Sequence, residues 1–313
     1  MNANFANKKV AVILGFYNGN HYIEEQIKSI LNQNFKNIDI FIFDDNSKKK
    51  LESKKLKINN KKCKIKITKR KTNIGYAKNF LLGLKEVGKE YDFYAFSDQD
   101  DIWEKDKISR GIKALNSNKL SFPKLYCSRT SYYNSECTKE IGASTVHPKK
   151  PAFANALLQN IAGGNTIMMN NLARQLVIKT VKAEKFISHD WWCYQIISGA
   201  GGEIIFDKNK TVRYRQHKYN LIGKNNGFAD IKSRILEFLL GKVKTWSDVN
   251  LKNLSNFRYL LTNENNEILE NYLIARRSKN IIKKLNYYLK SGVFRQSNKE
   301  SMVFAIGMIL NMI

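Results

Sequence analysis

The sequence has few of the residues that crosslink or interrupt a chain. It contains three prolines and four cysteines in 313 residues, and no Pro-rich or Gly/Ser-rich linker. The cysteines form no C-x-x-C pair and no Cys/His cluster with zinc spacing. A disulfide framework is not expected in a chain of this length, so we predict reduced thiols in a cytosolic protein.

Long apolar runs are also lacking. The longest, Met302–Leu310, is about half of the roughly 18–20 residues that a transmembrane helix needs. Met1–Lys9 is polar and has no apolar segment of the kind found in signal peptides. Hydrophobic residues still make up 43% of the chain, which is enough for a sizeable core and excludes global disorder. The length predicts one large domain, or one domain with an appendage.

Acidic residues are scarce relative to basic ones. The chain has 27 Asp and Glu against 54 Lys and Arg, a net charge of +27. Such a balance indicates a polyanionic partner, namely nucleic acid, an anionic membrane surface or a phosphate-rich substrate. The chain is also rich in Lys, Asn and Ile, so a biased genome composition is a second source of the lysines.

Through the first hundred residues, continuous apolar runs alternate with segments whose apolar residues recur at helical spacing. Strands are predicted at Val10–Phe16, Ile38–Phe43, Cys63–Thr68 and Phe93–Phe96. Continuous apolar strands alternating with helices are typical of a parallel sheet covered on both faces, an α/β fold. Polar clusters follow three of these strands, and ligands bind at the carboxyl ends of such strands. The clusters expected at this one edge are Tyr17-Asn18, Asp44-Asp45 and Asp98–Asp101.

The pattern is mixed after about residue 120. Helices are expected at Phe153–Leu158 and Trp191–Ile197, and strands at Thr166–Met169 and Thr211–Arg215. From Ile231 onward almost the whole sequence has helical periodicity and is rich in Lys and Arg.

Four groups of residues could carry chemistry. Asp98 and Asp100 are two apart in an extended segment and can converge on Mg²⁺ or Mn²⁺, or they form a solvated turn before the next helix. Asp44-Asp45 could accept from a ribose or a base, or form a common turn. Asp190, flanked by Trp191 and Trp192, could be a general base, or an N-cap beside core tryptophans. Arg213, Arg215 and His217 could bind phosphate from one strand face, or form a solvated edge.

Several common nucleotide and hydrolase motifs are absent. The sequence has no G-x-x-x-x-G-K-[ST], no G-x-G-x-x-G and no G-x-S-x-G. This argues against P-loop, dinucleotide-dependent and α/β-hydrolase chemistry.

The order of the motifs resembles family 2 glycosyltransferases, in particular the bacterial rhamnosyltransferase-like enzymes of O-antigen, capsule and lipooligosaccharide synthesis. The resemblance runs from about Lys9 to Gly223. The matching segments are Phe16-Tyr17-Asn18-Gly19, Asp44-Asp45-Asn46-Ser47, Asn73-Ile74-Gly75, Ser97–Trp103, Gly163-Gly164, His189-Asp190-Trp191-Trp192 and Arg215-Gln216-His217. Phe16 departs from the Thr or Pro usual in the family, which weakens the nucleotide assignment slightly.

The resemblance implies a glycosyltransferase-A fold. A Rossmann-like nucleotide-sugar half (1–120) and an acceptor half (121–223) would share one mostly parallel central sheet, followed by a basic helical region (224–313). The resemblance also implies inverting transfer from a nucleoside-diphosphate sugar, such as a UDP-hexose or dTDP-rhamnose, to a saccharide or lipid-linked acceptor.

The resemblance also assigns site residues one by one. Asp190 matches the catalytic base, and Asp98, Asp100 and His217 match positions that hold Mn²⁺ or Mg²⁺. The remaining nucleotide-sugar positions are Tyr17, Asn18, Asp44, Asn73, Gly75, Asp98, Gly163, Gly164, Trp191 and Arg215.

Two rival classes stay open at this point. The charge favours a nucleic-acid-binding protein, although no helix-turn-helix, zinc finger or RNA-binding aromatic motif occurs. A metal-dependent nucleotidyltransferase or phosphatase is the other, although a phosphatase would have its D-x-D motif after the first strand rather than the fourth.

The basic residues and the apolar C-terminus predict contact with a membrane. Lys48–Lys71 and Lys232–Lys299 are strongly basic, and Ser301–Ile313 is apolar. A basic helical region that ends in an apolar segment is typical of a monotopic element. We therefore predict a cytoplasmic enzyme held peripherally on the inner face of the cell membrane. The alternative is a C-terminal helix packed on the domain or buried in a homo-oligomer.

Overall fold

The strands form one continuous sheet. The computed structural model describes residues 7–51, 63–117, 122–217 and 241–313. Within these ranges the strands are β1 (Val10–Phe16), β2 (Ile38–Asp44), β3 (Ile65–Lys69), β4 (Phe93–Ser97), β5 (Ile102–Trp103), β6 (Lys124–Tyr133), β7 (Glu140–Ala143), β8 (Met168–Asn170) and β9 (Glu203–Arg215). Their order across the sheet is β3-β2-β1-β4-β8-β6-β9-β5, and β7 pairs with β6.

The strand directions divide the sheet into two halves. In the first half β3, β2, β1 and β4 are all parallel, as expected for a Rossmann-like nucleotide-binding half. In the second half β6 and β9 are parallel to each other, whereas β8 runs antiparallel to both β4 and β6. The α/β class and the glycosyltransferase-A arrangement predicted from the sequence are therefore confirmed.

Helices cover both faces of the sheet. They are α1 (Ile23–Leu31), α2 (Tyr76–Glu86), α3 (Lys107–Leu115), α4 (Phe153–Ala156), α5 (Asn171–Ile178), α6 (His189–Gly199), α7 (Lys242–Asn256), α8 (Asn263–Arg277), α9 (Ile281–Ser291) and α10 (Asn298–Ile309). Alternate residues of β1 enter two different hydrophobic clusters: Val12 packs with α1 and α3, and Ile13 packs with α2. This two-sided burial explains why the strand is apolar at every position.

Five predicted strands differ in their bounds. The second and the fourth each extend one residue further than predicted, to Asp44 and Ser97. The third strand begins at Ile65 rather than Cys63. Residues from Gly164 to Thr166 form a 3₁₀ turn, so the strand predicted at Thr166–Met169 is Met168–Asn170. The last predicted strand, Thr211–Arg215, is the end of the 13-residue β9. The four cysteines are free thiols, as predicted.

The described C-terminal region is helical, as predicted. Residues 224–240 lie outside the described ranges, so the predicted boundary after residue 223 stays a prediction. Leu254, Tyr272 and Phe304 from this region belong to the same hydrophobic cluster as Phe153 and Trp192 of the acceptor half. In the parts of the chain described, no helix combines the length and the apolar character that crossing a bilayer requires.

Candidate active site

The three polar clusters meet at the carboxyl edge of the parallel strands, as predicted. Phe16, the last residue of β1, pairs with Asp44 of β2, and Leu14 pairs with Ser97 of β4. Side chains then tie the loops to one another. The Tyr17 backbone donates to Gln99 Oε1 at 2.8 Å and accepts from Gln99 Nε2 at 3.1 Å. The three loops are therefore one connected rim.

The first loop holds Tyr17 outward. Asn18 has a left-handed backbone (φ 52°), and its N–H donates to Ser47 Oγ at 2.9 Å. A Cβ on Gly19 would lie 2.2 Å from Gln99 Cδ, so only glycine leaves room for the Gln99 bridge. The Tyr17 side chain remains 45% exposed. It offers a flat aromatic face at the rim, while the Asn18 side chain accepts from Lys48 N.

The second loop separates the two aspartates that follow β2. Asp44 is buried, and its Oδ1 accepts from the N–H of Ser47 within the same turn. Asp45 instead accepts from the N–H groups of Ile74 and Gly75 at 2.8 and 2.9 Å. Gly75 has φ +82° there, a conformation that favours glycine. The family resemblance assigned a nucleotide role to Asp44 alone, whereas Asp45 fixes the loop that carries Asn73 and Gly75.

The third loop concentrates carboxyl groups. Burial and the nearby carboxylates of Asp100 and Asp190 together raise the pKa of Asp98 to about 8. Asp101 is fully buried and accepts from Asn165 Nδ2 at 2.6 Å, so it links this loop to the turn after Gly163 and Gly164. Burial raises the Asp101 pKa well above its usual value. Like charges converge here, as expected where a cation binds.

His217 meets Asp100 at this cluster. Its Nε2 lies 2.9 Å from Asp100 Oδ2. The imidazole stacks on the ring of Tyr22, with 5.0 Å between centroids and 16° between planes. Arg215 lies 4.7 Å from the centre of the same Tyr22 ring. Tyr22, which the sequence did not single out, therefore orients both residues of the Arg215-Gln216-His217 segment.

The guanidiniums predicted to bind phosphate both have protein partners. Arg213 pairs with Glu104 at 2.6 Å. Arg215 is 2% exposed, pairs with Glu25 and donates to the Asp100 carbonyl oxygen at 3.0 Å. The two do not form the shared open face that the alternation predicted. Arg215 fixes the Asp100 backbone through this hydrogen bond. Its role in binding phosphate stays a prediction.

Asp190 lies in the first turn of α6. Its Oδ2 accepts from Gly164 N at 3.0 Å and its Oδ1 from Trp191 N at 2.7 Å. Two amides at the start of a helix thus fix the direction of the carboxylate. The flanking tryptophans are anchored elsewhere: Trp191 donates to Ala156 O, and Trp192 is buried and donates to Thr180 Oγ1. Trp192 is therefore a core residue.

Tyr76 and His189 support Asp190 without having been predicted. Burial raises the pKa of Tyr76, and the charges of Asp190 and Asp98 raise it further; the ring therefore lies near both carboxylates. His189 stacks on Phe80 at 4.2 Å. A Cβ on Gly164 would lie 2.7 Å from His189 Nε2, whereas the nearest atom to a Cβ on Gly163 is 3.5 Å away. Gly164 is required by the packing of α6, and Gly163 is not.

The donor set fits a divalent cation. In the described ranges no three His, Cys, Asp or Glu side chains already form a complete metal-binding group. Asp100 and His217 nevertheless place an oxygen and a nitrogen 2.9 Å apart. Neighbouring ligands of an octahedral ion with bonds of about 2.1 Å are about 3 Å apart. The Asp98 carboxylate is within electrostatic reach of this pair.

Comparison with known proteins identifies the family. Residues 11–177 match the model of glycosyl transferase family 2. The chain is 32% identical over 224 residues to the dTDP-rhamnosyl transferase RfbG of Shigella flexneri, which covers 68% of this chain and 74% of the relative. It is 31% identical over 160 residues, 50% of this chain and 57% of the relative, to the UDP-Glc:alpha-D-GlcNAc-diphosphoundecaprenol beta-1,3-glucosyltransferase WfgD of Escherichia coli. The chain belongs to glycosyl transferase family 2.

Solved structures share the fold. TarS 1-349 of S. aureus in complex with UDP-GlcNAc aligns with a TM-score of 0.54 at 15% identity, over 97% of this chain and 81% of that one. The mannosyltransferase PcManGT of Pyrobaculum calidifontis, in complex with GDP-Man and Mn²⁺, aligns with a TM-score of 0.51 at 12% identity, over 97% and 88%. The family model and the curated relatives make the protein a glycosyltransferase, and the nucleic-acid-binding and nucleotidyltransferase or phosphatase alternatives are set aside.

Proposed function

We propose that this protein is an inverting glycosyltransferase of bacterial surface polysaccharide synthesis. It transfers a sugar from a UDP-hexose or dTDP-rhamnose to a saccharide or lipid-linked acceptor. The observation that carries the proposal is the convergence, at one sheet edge, of the exposed Tyr17 ring, the Asp98–Asp100 acids and the Asp190 carboxylate. The names of the relatives RfbG, a dTDP-rhamnosyl transferase, and WfgD, a glucosyltransferase that uses UDP-Glc, support the donor class.

The nucleotide binds along the rim made by the first two loops. The flat face of Tyr17 packs against the base, next to Asn18. Asp44 lies at the end of β2 on the ribose side, and the loop of Asn73 and Gly75, held by Asp45, closes that end. Rigid loops of this kind hold a donor with little loss of conformational freedom on binding.

Asp100, Asp98 and His217 would hold Mn²⁺ or Mg²⁺, and the donor diphosphate would lie at this acidic cluster. When bound, the cation neutralises the negative charge that builds on the departing diphosphate. Arg215 supports this end through its hydrogen bond to the Asp100 carbonyl and its packing on Tyr22.

Asp190 acts as the general base. An acceptor hydroxyl oxygen attacks the anomeric carbon from the face opposite the diphosphate, and Asp190 takes the hydroxyl proton as the new C–O bond forms. The bond from the anomeric carbon to the diphosphate oxygen breaks, and the nucleoside diphosphate leaves with that electron pair. Gly163, Gly164 and Trp191 border the sugar, and holding donor and acceptor together supplies much of the rate.

A donor screen tests the proposal. Purified protein with Mn²⁺ or Mg²⁺ is offered a panel of UDP- and dTDP-sugars with saccharide acceptors, and the released nucleoside diphosphate is measured. We expect release with one donor, dependent on acceptor, and a product of inverted anomeric configuration. Release of pyrophosphate instead would indicate nucleotidyl transfer, and retained configuration would exclude Asp190 as the base of a direct displacement.

A further inference from the structure

Helix α9 exposes an apolar stripe to solvent. Ile281, Ile282, Leu285 and Leu289 recur at helical spacing on one side, with exposures of 60%, 81%, 40% and 68%. The opposite side packs on the protein through Tyr288 and Ser291. A helix lying on a domain normally turns its aliphatic side chains inward. In α9 the large aliphatic residues face outward.

Helix α10 has a second stripe. Met302, Val303, Ile306 and, just after the helix, Leu310 are 68%, 52%, 52% and 61% exposed. Phe304 and Met308 on the other side are buried in the core. The segment Ser301–Ile313 is thus neither wholly packed on the domain nor wholly free: one side anchors it and the other side is exposed.

The two helices are fixed to one another. The Lys284 side chain is buried, and its Nζ donates to the Met308 carbonyl at 3.1 Å and to Asn311 Oδ1. It therefore caps the end of α10 from α9. We call the two stripes together the α9–α10 apolar surface. Single exposed aliphatic residues are ordinary, but eight on two joined helices mark an interaction site.

The surroundings of this surface are basic. Residues 277–313 contain seven Lys and Arg and one acid, Glu300, which pairs with Arg295. A groove of about 420 Å³ adjoins the end of α10 at Asn311 and Ile313. Four cations, Lys244, Lys252, Arg276 and Arg277, line this groove beside one acid, Asp248.

Charge decides between the two main occupants. A second copy of this chain would bring the same basic residues, in a protein of net charge +27, against each other. An anionic bilayer offers opposite charge to the basic residues and an apolar interior to the aliphatic ones. Each basic side chain close to such a surface adds to the attraction.

We propose that the α9–α10 apolar surface, with the basic groove beside it, docks the protein on an anionic lipid bilayer. The aliphatic side chains enter the boundary between headgroups and acyl chains, and the lysines and arginines contact the anionic headgroups. This rests on the proposed function, with its lipid-linked acceptor, and deepens the peripheral membrane location predicted from the sequence. It names the surface and adds α9, which the sequence had not distinguished from the rest of the basic region.

Vesicle sedimentation tests the proposal with matched variants. The full chain is mixed with vesicles of phosphatidylglycerol and phosphatidylethanolamine, or of phosphatidylcholine alone. One variant carries Ile282→Asp and Leu289→Asp, and a second carries Met302→Asp and Ile306→Asp. The control carries Val146→Asp and Leu172→Asp, which makes the same charge change at exposed apolar residues elsewhere.

We expect the wild type and the control to sediment with anionic vesicles and to be released by salt. Each stripe variant should partition at least about tenfold less, because two aliphatic side chains no longer leave water. Wild-type protein that stays in the supernatant at low salt, or binds phosphatidylcholine equally well, would overturn the proposal. A wild-type dimer that the stripe variants dissociate, with vesicle binding unchanged, would identify the surface as a contact between copies. Donor turnover with a soluble acceptor, measured in the same variants, reports on the proposed function separately.

Discussion

At the scale of single residues, the protein alone holds the proposed base, Asp190, in a fixed direction. Asp190 receives hydrogen bonds from Gly164 N and Trp191 N, so both of its oxygens have a defined direction. Its neighbours in sequence have packing roles. His189 stacks on the Phe80 ring, and Trp192 is buried in the core. The sequence motif His189-Asp190-Trp191-Trp192 thus mixes one chemical residue with structural ones.

We expect Asp190→Asn to lower kcat by roughly 10²–10⁴, the usual share of general base catalysis. The amide cannot take the acceptor proton, while the donor contacts at Tyr17 and Asp100 remain. Donor affinity measured by calorimetry should therefore be nearly unchanged. Glu184→Gln, at a side chain that is 90% exposed, is the matched control. A kcat near the wild-type value in Asp190→Asn would remove Asp190 from the role of base.

We expect Asp100→Ala to abolish both activity and the dependence of donor binding on a divalent cation. The substitution removes the oxygen that lies 2.9 Å from His217 Nε2 and leaves the imidazole without that partner. Calorimetry of donor binding with Mn²⁺ and with a chelator measures the effect, and Asp106→Ala is a control at a half-exposed carboxylate. Equal donor affinity of the wild type with and without chelator would show that the metal assignment is wrong.

Motif positions could be predicted at this scale, but hydrogen-bond partners could not. The sequence placed Asp98, Asp100 and His217 together through the resemblance, and the structure brings Asp100 and His217 into contact. It gave no sign that Glu25 would pair with Arg215, because the two are 190 residues apart and only the folded sheet brings them together. The same holds for Asp45 and the Asn73–Gly75 loop.

At the scale of elements, strands buried on both faces were predicted almost to the residue, whereas β6 was not predicted. β1, β2 and β4 are continuous apolar runs, so their pattern is unambiguous. β6, Lys124–Tyr133, has four consecutive polar residues at 128–131, and it is buried by pairing with β7, β8 and β9. Because neighbouring strands cover polar residues of β6, the strand is buried without being apolar, and its sequence shows no apolar run.

The two adjacent glycines before β8 have different roles, which matched substitutions separate. Gly164→Ala puts a Cβ 2.7 Å from His189 Nε2 and 3.5 Å from Asp190 Cβ, so the start of α6 must shift. We expect a loss of about 1–3 kcal/mol in the free energy of unfolding and a lower kcat. Gly163→Ala meets nothing closer than 3.5 Å and should retain wild-type stability.

Kinetics of the Gly163→Ala variant then test the contact with the sugar. If backbone at Gly163 approaches the donor sugar, the added methyl group raises KM while the melting temperature stays the same. A Gly163→Ala variant that melts as early as Gly164→Ala would contradict the packing argument.

At the scale of the whole molecule, the charge and the fold answer different questions. The net charge of +27 predicts an anionic partner, and it favours nucleic acid and an anionic membrane equally. The carboxyl edge of the parallel strands, by contrast, collects acids in a basic protein. Only the arrangement of these residues in three dimensions separates the catalytic edge from the basic C-terminal helices.

The fold also determines how the stability of the protein changes in acid. Burial lowers the pKa of His189 to about 4, although the Asp190 carboxylate acts in the opposite direction. In the unfolded chain a histidine takes up a proton below about pH 6.5. The unfolded state therefore binds more protons between pH 6.5 and 4, and the folded protein loses stability as the pH falls through this window.

We expect His189→Phe to reduce this loss. Phenylalanine keeps the stacking on Phe80, and it removes two ring nitrogens that, within the described ranges, are buried without a hydrogen-bond partner. Between pH 7 and pH 5 the variant should gain about 2 kcal/mol on the wild type, measured by urea unfolding at the two pH values. His21→Gln, at an exposed histidine, is the control and should follow the wild type. Parallel curves for His189→Phe and the wild type would mean that His189 is already protonated in the folded protein at pH 5, and that the aromatic stack carries a charge beside Asp190.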